Sequence, residues 1–302
     1  MHIPDGFLST PVWAVLNAGS ALSIGALARR VESTMEEGRA PLLGVMGAFV
    51  FAAQIVNFPV GAGASGHLLG GALMAVTLGP GAASIVMTAI LVVQALVFQD
   101  GGLLALGANV CNMALAGVWA GYLPYKYLAA GGWRRTGVFL GGMVSALCAS
   151  CLAIAELRLS GVPMPGAVLG ISLGVFLVSS ILEGSITATV FFAIERMNPA
   201  WIRPGPAEPR RLRGLLAAAA VVLASIGGLL ASSLPDGLEK LAGDLGIAGQ
   251  ARGLLDTPLA DYEIQAAAEP WMRKAGAGLI GLASVWALCL ILARFLPRRE
   301  RS

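Results

Sequence analysis

The first two residues of the chain, Met1 and His2, place three nitrogen atoms within reach of one metal ion. The amino group of Met1 and the backbone nitrogen of His2 close a five-membered chelate ring. That backbone nitrogen and the imidazole Nδ1 close a six-membered ring. The second of the two histidines in the sequence, His67, would supply a fourth nitrogen. Four nitrogen donors in a plane suit Ni²⁺ or Cu²⁺, with Co²⁺ a weaker candidate, so the pair predicts a transition-metal site.

Such a site requires a free amino group on Met1. The bulky side chain of His2 disfavours removal of the initiator, and Ile3-Pro4-Asp5-Gly6 holds turn-forming residues that we expect to fold the terminus back. These nitrogens bind metal only when deprotonated, so affinity should fall in acid. The alternative is that His2 is a solvated terminal residue with no metal role.

The composition is that of a membrane protein. Hydrophobic residues make up 57% of the chain and charged residues 12%, against roughly 25% charged in soluble domains. We predict an all-α polytopic membrane protein, with a bundle of seven segments followed by two C-terminal helices. The nine segments lie near residues 11–28, 41–57, 67–79, 81–98, 107–124, 137–157, 166–194, 214–231 and 276–296.

The basic residues indicate the orientation of these segments. With the N-terminus outside and the C-terminus in the cytoplasm, fifteen basic residues lie inside and five outside. The positive-inside rule favours this arrangement. It places His2 and His67 on the same external side. Because most basic residues flank membrane segments, the net charge of +3 does not indicate a nucleic-acid partner, and we expect lipid as a partner instead.

The third segment is short. About 13 residues separate His67 from the Gly79-Pro80-Gly81 break, and a helix of that length is roughly 20 Å long, too short for a core of about 30 Å. We expect the loop 58–66 to enter the membrane and line a cavity, with His67 at the bottom of an outward-facing pocket and at the start of a helix. A short tilted helix with a surface histidine is the alternative.

Other polar residues lie within apolar segments. Asn109 and Asn112 are candidates to orient His67 or the terminus, as partners of ligating histidines do; the alternative is an interhelical hydrogen bond. Glu183 lies mid-segment, where an ionisable group is costly. We interpret Glu183 as a structural acid bonded to backbone or to Thr187.

The C-x-x-C pair formed by Cys148 and Cys151 is a weak redox signal here, because no soluble redox context accompanies it. We interpret both cysteines as small packing residues. The chain also lacks a G-x-x-x-x-G-K-[ST] phosphate loop, so it cannot hydrolyse ATP by that route. If ATP drives the function of this chain, we expect the hydrolysis in a separate ATPase.

Three signature segments resemble the CbiM/NikM family of nickel/cobalt substrate-binding components of energy-coupling-factor (ECF) transporters. They are MHIPDGFLS at the N-terminus, NFPVGAGASGHLLGG and LGANVCNMALAG (106–117). The resemblance implies that Met1, His2 and His67 hold the metal. Ni²⁺ or Co²⁺ would be the transported substrate, with no prosthetic group, in a prokaryotic cell membrane. It further implies a CbiQ-like transmembrane coupling subunit and CbiO/NikO-like ATPase subunits as partners.

The C-terminal part resembles the small PDGLE companion subunit, related to CbiN/NikN, through SLPDGLEK (233–240). This resemblance favours Ni²⁺ over Co²⁺ as the substrate. We therefore predict a metal-binding domain at 1–202, a cytoplasmic Pro/Arg-rich linker at 203–213 and a two-helix PDGLE domain at 214–302. Its external loop holds seven acidic and four basic residues between 232 and 275. We expect that loop to contact the mouth of the metal pocket.

Two other functions remain open. A stand-alone secondary carrier should show repeats and paired broken helices, and neither is evident in the sequence. An intramembrane metalloenzyme would use His67 with Glu183, but these residues fall on different segments, at apparently different depths.

Overall fold

The computed structural model describes residues 1–32, 40–197 and 210–295, which are mostly helical. The predicted linker lies largely outside these residues, so the proposed division into domains remains a prediction. The helices are α1 (Thr10–Glu32), α2 (Ala40–Gln54), α3 (Gly71–Leu78), α4 (Pro80–Val93), α5 (Leu106–Asn109), α6 (Val118–Leu128), α7 (Arg134–Leu159), α8 (Gly166–Met197), α9 (Arg210–Val222), α10 (Gly228–Leu230), α11 (Gly237–Asp244) and α12 (Pro270–Phe295).

All nine predicted segments overlap this helical structure. Within the described residues, six stretches are long and apolar enough to cross a membrane: Thr10–Val31, Pro80–Phe98, Arg134–Leu159, Gly166–Met197, Arg213–Leu230 and Pro270–Ala293. Two of these stretches contain π-helical residues, which follow α4 in Pro80–Phe98 and join α9 to α10 in Arg213–Leu230. A further π-helical stretch, outside these six, joins α5 to α6. The prediction of an all-α polytopic membrane protein is confirmed, with nine as an approximate number of spans.

Close helix packing builds the core. Helix α7 packs against α6 and α8, and a Cβ atom at Gly142 would lie 2.7 Å from the Cα of Gly184. Glycine at this crossing lets two backbones meet, as is usual where helices associate in lipid. Helices α9 and α12 of the C-terminal part pack against α2, which joins that part to the first bundle.

The structure corrects the prediction for the third segment. Residues 58–66 form an antiparallel hairpin of β1 (Phe58–Gly61) and β2 (Ala64–Gly66). Helix α3 begins only at Gly71 and has eight residues. His67 therefore lies in the connection between β2 and α3 and not at a helix start. Gly70 has a left-handed backbone conformation, with φ of 75°, and the helix therefore begins after it.

Candidate metal site

The N-terminus is anchored inside the protein by Asp5. Its carboxylate accepts hydrogen bonds from the backbone nitrogens of Leu103 (2.9 Å), Leu104 (2.8 Å) and Ala105 (3.1 Å). Gly102 makes this approach possible, because a Cβ atom there would lie 2.1 Å from Asp5 Oδ1. The terminus is thus held against the segment before α5. The sequence predicted only a turn at Asp5, whereas its carboxylate also anchors the terminus.

Asn109 fixes the backbone next to His2. The Ile3 nitrogen donates to Asn109 Oδ1 at 2.8 Å, and Asn109 Nδ2 donates back to the Ile3 carbonyl at 3.1 Å. Asn109 therefore orients the terminus, one of the two roles proposed for it. Asn112 behaves differently, because its Nδ2 donates to Glu156 Oε2 at 2.8 Å. Asn112 makes the interhelical hydrogen bond that was its alternative role.

Met1, His2 and His67 lie together. The Met1 nitrogen is 3.1 Å from His67 Nε2. The two imidazole rings are stacked, with centroids 5.7 Å apart and planes inclined by 12°. The Ser150 hydroxyl also donates to the Met1 sulfur at 3.0 Å. Residues that are 66 and 149 positions from Met1 in the sequence therefore converge around it.

The tautomer of His67 leaves Nε2 available as a ligand. Its Nδ1 lies 3.0 Å from the Leu68 carbonyl, which can only accept a hydrogen bond, so Nδ1 carries the proton. Burial lowers the pKa of His67 to about 4, helped by the positive amino group of Met1 nearby. At neutral pH the ring is uncharged, and the lone pair on Nε2 faces the Met1 nitrogen.

Two carboxylates that the sequence analysis did not single out surround these nitrogens. Asp236 forms an ion pair with the Met1 amino group, and Asp100 Oδ1 lies 2.8 Å from His2 Nδ1. The Tyr262 hydroxyl donates to the other oxygen of Asp100 at 2.7 Å. Asp236 belongs to the PDGLE segment, so a resemblance to that segment was the one available sequence signal for it.

The pKa values of both carboxyl groups follow their partners. Burial disfavours ionisation of Asp236, but the Met1 amino group and His67 outweigh it and lower its pKa. Burial likewise opposes ionisation of Asp100, while the contact with His2 and the Tyr262 hydrogen bond hold its pKa well below the usual range. Both groups are therefore anions at neutral pH and make the site attractive to cations.

Glu183 and Gln54 hold the backbone that follows His67. The Glu183 carboxylate accepts from the backbone nitrogens of Leu69 (2.7 Å) and Gly70 (2.9 Å), and Gln54 Nε2 donates to the Leu69 carbonyl at 2.8 Å. The interpretation of Glu183 as a structural acid bonded to backbone agrees with this geometry. Glu183 thus contacts the backbone two and three residues after His67.

Replacing Glu183 by Gln should destabilise the protein. Glutamine keeps one acceptor oxygen and turns an amide toward the second backbone N–H, and leaving that buried group unpaired costs about 1–3 kcal/mol. Thermal unfolding of the metal-free protein in detergent measures the loss. The control is Ser185→Ala on the same helix, where the hydroxyl is exposed and bonds only within the helix. Equal unfolding temperatures for Glu183→Gln and the wild type would contradict the role given to Glu183.

Side chains alone do not make a metal site in the part of the chain that the structure describes. No group of three or more His, Cys, Asp and Glu side chains could hold an ion there. The main-chain nitrogen of Met1 lies beside the His67 ring and is available as a further donor.

The fold and this cluster define a helical, multi-pass membrane protein whose N-terminus and two imidazoles meet in a buried site. Residues 2–201 match CbiM, described as the cobalt uptake substrate-specific transmembrane region. Residues 210–298 match the PDGLE domain. The chain belongs to the CbiM family and carries a C-terminal PDGLE domain, which confirms the resemblance seen in the sequence.

Relatives have the same fused arrangement. A protein of Archaeoglobus fulgidus, provisionally named a fused nickel transport protein NikMN, is 32% identical over 98% of this chain and 99% of its own length. The fused nickel transport protein NikMN of Rhodobacter capsulatus is 31% identical over 77% of this chain and 74% of its own. A crystal structure titled as a transition metal transporter is 30% identical, with a TM-score of 0.59, and covers 71% of this chain and 97% of its own.

Proposed function

We propose that the protein captures a divalent transition metal, Ni²⁺ or Co²⁺, on the outer side of a prokaryotic cell membrane. It then passes the ion inward as the substrate-specific subunit of an ATP-driven ECF transporter. The observation that carries the proposal is the 3.1 Å separation of the Met1 nitrogen and His67 Nε2. Names of relatives that refer to nickel and to cobalt transport support the choice of substrate.

The spacing of these two nitrogens suits adjacent positions around one metal ion. Metal–nitrogen bonds of about 2 Å at a right angle place the two nitrogens about 2.8 Å apart, a few tenths of an ångström less than in the metal-free protein. The unprotonated Nε2 of His67 needs no tautomer change to bind. The ligand pair is thus close to its bound geometry before the metal arrives.

Chelation by His2 requires a local rearrangement. The predicted six-membered ring uses Nδ1 of His2, and that atom is engaged with Asp100 in the metal-free protein. Binding therefore exchanges the Asp100 contact for a metal bond, with rotation of the imidazole about its Cβ–Cγ bond. The buried His2 Nε2 makes no hydrogen bond to the described residues, so no bond from that atom resists the rotation.

Nickel is the favoured substrate. The proposed donors are the Met1 amine, the His2 backbone nitrogen, His2 Nδ1 and His67 Nε2. A planar set of four nitrogens suits Ni²⁺ better than Co²⁺, which binds more weakly in the divalent series. The names of the two fused relatives described above also refer to nickel.

The proposed partners follow from what the sequence lacks. It holds no phosphate loop, and each of its lysines follows Tyr, Glu or Arg, so ATP hydrolysis must come from CbiO/NikO-like ATPase subunits. A CbiQ-like membrane protein would couple them to this chain. The distribution of basic residues supports an external N-terminus and a cytoplasmic C-terminus.

His67→Ala should weaken nickel binding without erasing it, because three donors on Met1 and His2 remain. We expect a loss of more than about 100-fold, the upper end of what removal of a merely orienting residue costs. Proton release per bound Ni²⁺ at pH 7 should not change, since His67 is already neutral. Calorimetry in buffers of different ionisation enthalpy measures both quantities, with exposed Cys151→Ala as control. Unchanged affinity in His67→Ala would refute the proposed ligand set.

A further inference from the structure

The PDGLE segment is docked directly beside the candidate metal site. The Ser65 nitrogen donates to the Pro235 carbonyl at 2.8 Å, and the Ser65 hydroxyl donates to the Leu234 carbonyl at 2.7 Å. A parallel bridge pairs Ser65 with Asp236. Because Ser65 lies two residues before His67, these contacts place Asp236 next to the ligand cluster.

The two carboxylate oxygens of Asp236 have separate partners. Oδ1 caps helix α11 by accepting from the backbone nitrogens of Leu238 (2.7 Å) and Glu239 (2.8 Å). The Glu239 carboxylate accepts in turn from the Asp236 nitrogen at 2.8 Å, which completes a capping box. Oδ2 is thereby left to face the Met1 amino group, with which it forms the ion pair.

This ion pair restrains the amino group at the start of the chain. The first residues of a domain are usually poorly ordered unless something ties them down. Asn109 fixes the backbone only from Ile3 onward. Asp236 binds the amino group itself, and the same nitrogen also lies beside His67 Nε2. When a metal ion replaces a proton on the Met1 amine, the negative charge of Asp236 remains next to that ion.

We propose that Asp236 is a positioning residue, by which the PDGLE domain holds the Met1 amino group beside His67 so that the metal meets a prearranged ligand set. The inference rests on the metal site proposed above. It gives the C-terminal domain a defined task in metal capture, because the residue that orders the N-terminal ligand lies 235 positions away in the chain.

The test is Ni²⁺ binding by purified full-length Asp236→Asn. Asparagine keeps the side-chain oxygen that caps α11 and removes the charge that holds the amine. We expect the affinity to fall by about 10–100-fold, the cost typical of losing a residue that orients a metal ligand. Stopped-flow association of Ni²⁺ should be slower, while the absorption bands of the bound ion stay in place because the donors are unchanged.

Two variants separate this effect from others. Asp256→Asn removes an exposed charge from the same external loop, and Glu239→Gln alters the capping box without touching the ion pair; both should bind Ni²⁺ as the wild type does. Wild-type affinity and association rate in Asp236→Asn would overturn the inference. So would an equal loss in Glu239→Gln, which would assign the effect to helix α11. Failure of the wild type to bind Ni²⁺ would instead refute the metal site itself.

Discussion

One extra residue in front of Met1 is expected to abolish high-affinity nickel binding, although no side chain is changed. The extension converts the Met1 amine into an amide, which is a poorer donor until it loses a proton. It also displaces a charge from the point where the amine meets Asp236 and lies 3.1 Å from His67 Nε2. Both the ligand set and its positioning are lost at once, so the effect should exceed that of any single side-chain substitution.

Calorimetry on the extended protein measures this effect. Mass spectrometry must first show that the reference protein begins with Met1 and carries a free amine. A matched control adds the same residue after Ser302, where nothing in the proposed site changes. Unchanged affinity in the N-terminally extended protein would exclude the amine as a ligand.

Nickel accumulation driven by ATP should depend entirely on partner subunits. Proteoliposomes that contain this chain alone should show none, because the sequence has no phosphate loop. Adding the coupling protein and the ATPase subunits should start accumulation. An ATPase subunit with its phosphate-loop lysine replaced should stop it, and His67→Ala should reduce it in the complete system.

The same measurement separates the alternative functions. Accumulation by this chain alone when an ion gradient is applied would identify a secondary carrier. Accumulation by the chain alone with ATP would contradict the proposal that this chain captures the metal and a separate subunit hydrolyses ATP.

Hydropathy predicted the membrane spans, because long apolar segments are easily recognised in a sequence. Ligand chemistry predicted that His2 and His67 lie together, because they are the two histidines of an apolar chain. The hairpin before His67 was missed. Gly-rich stretches have no clear period, and the strands β1 and β2 are only four and three residues long. Helix α3 was predicted too long for the same reason, since apolar residues 68–70 read equally well as helix or loop.

The sequence indicated that the PDGLE loop would contact the pocket, but it did not identify which carboxylates would meet the metal ligands. Asp236 pairs with an amine 235 residues away, and no local pattern encodes a contact across two domains. In the sequence, Asp100 resembles any polar residue at the end of an apolar segment. Its role follows only from its contacts with Tyr262 and His2 in the structure. Glu183 was recognised as costly, but its partners are backbone groups of Leu69 and Gly70, which carry no sequence signature.

X-ray absorption at the nickel K edge of the loaded protein tests the central claim most directly. The proposed site predicts a four-coordinate planar ion with nitrogen ligands at about 2 Å, the multiple scattering of two imidazoles and no sulfur. In His67→Ala the scattering of one imidazole should disappear. A six-coordinate spectrum dominated by oxygen, or one with sulfur ligands, would contradict binding by Met1, His2 and His67.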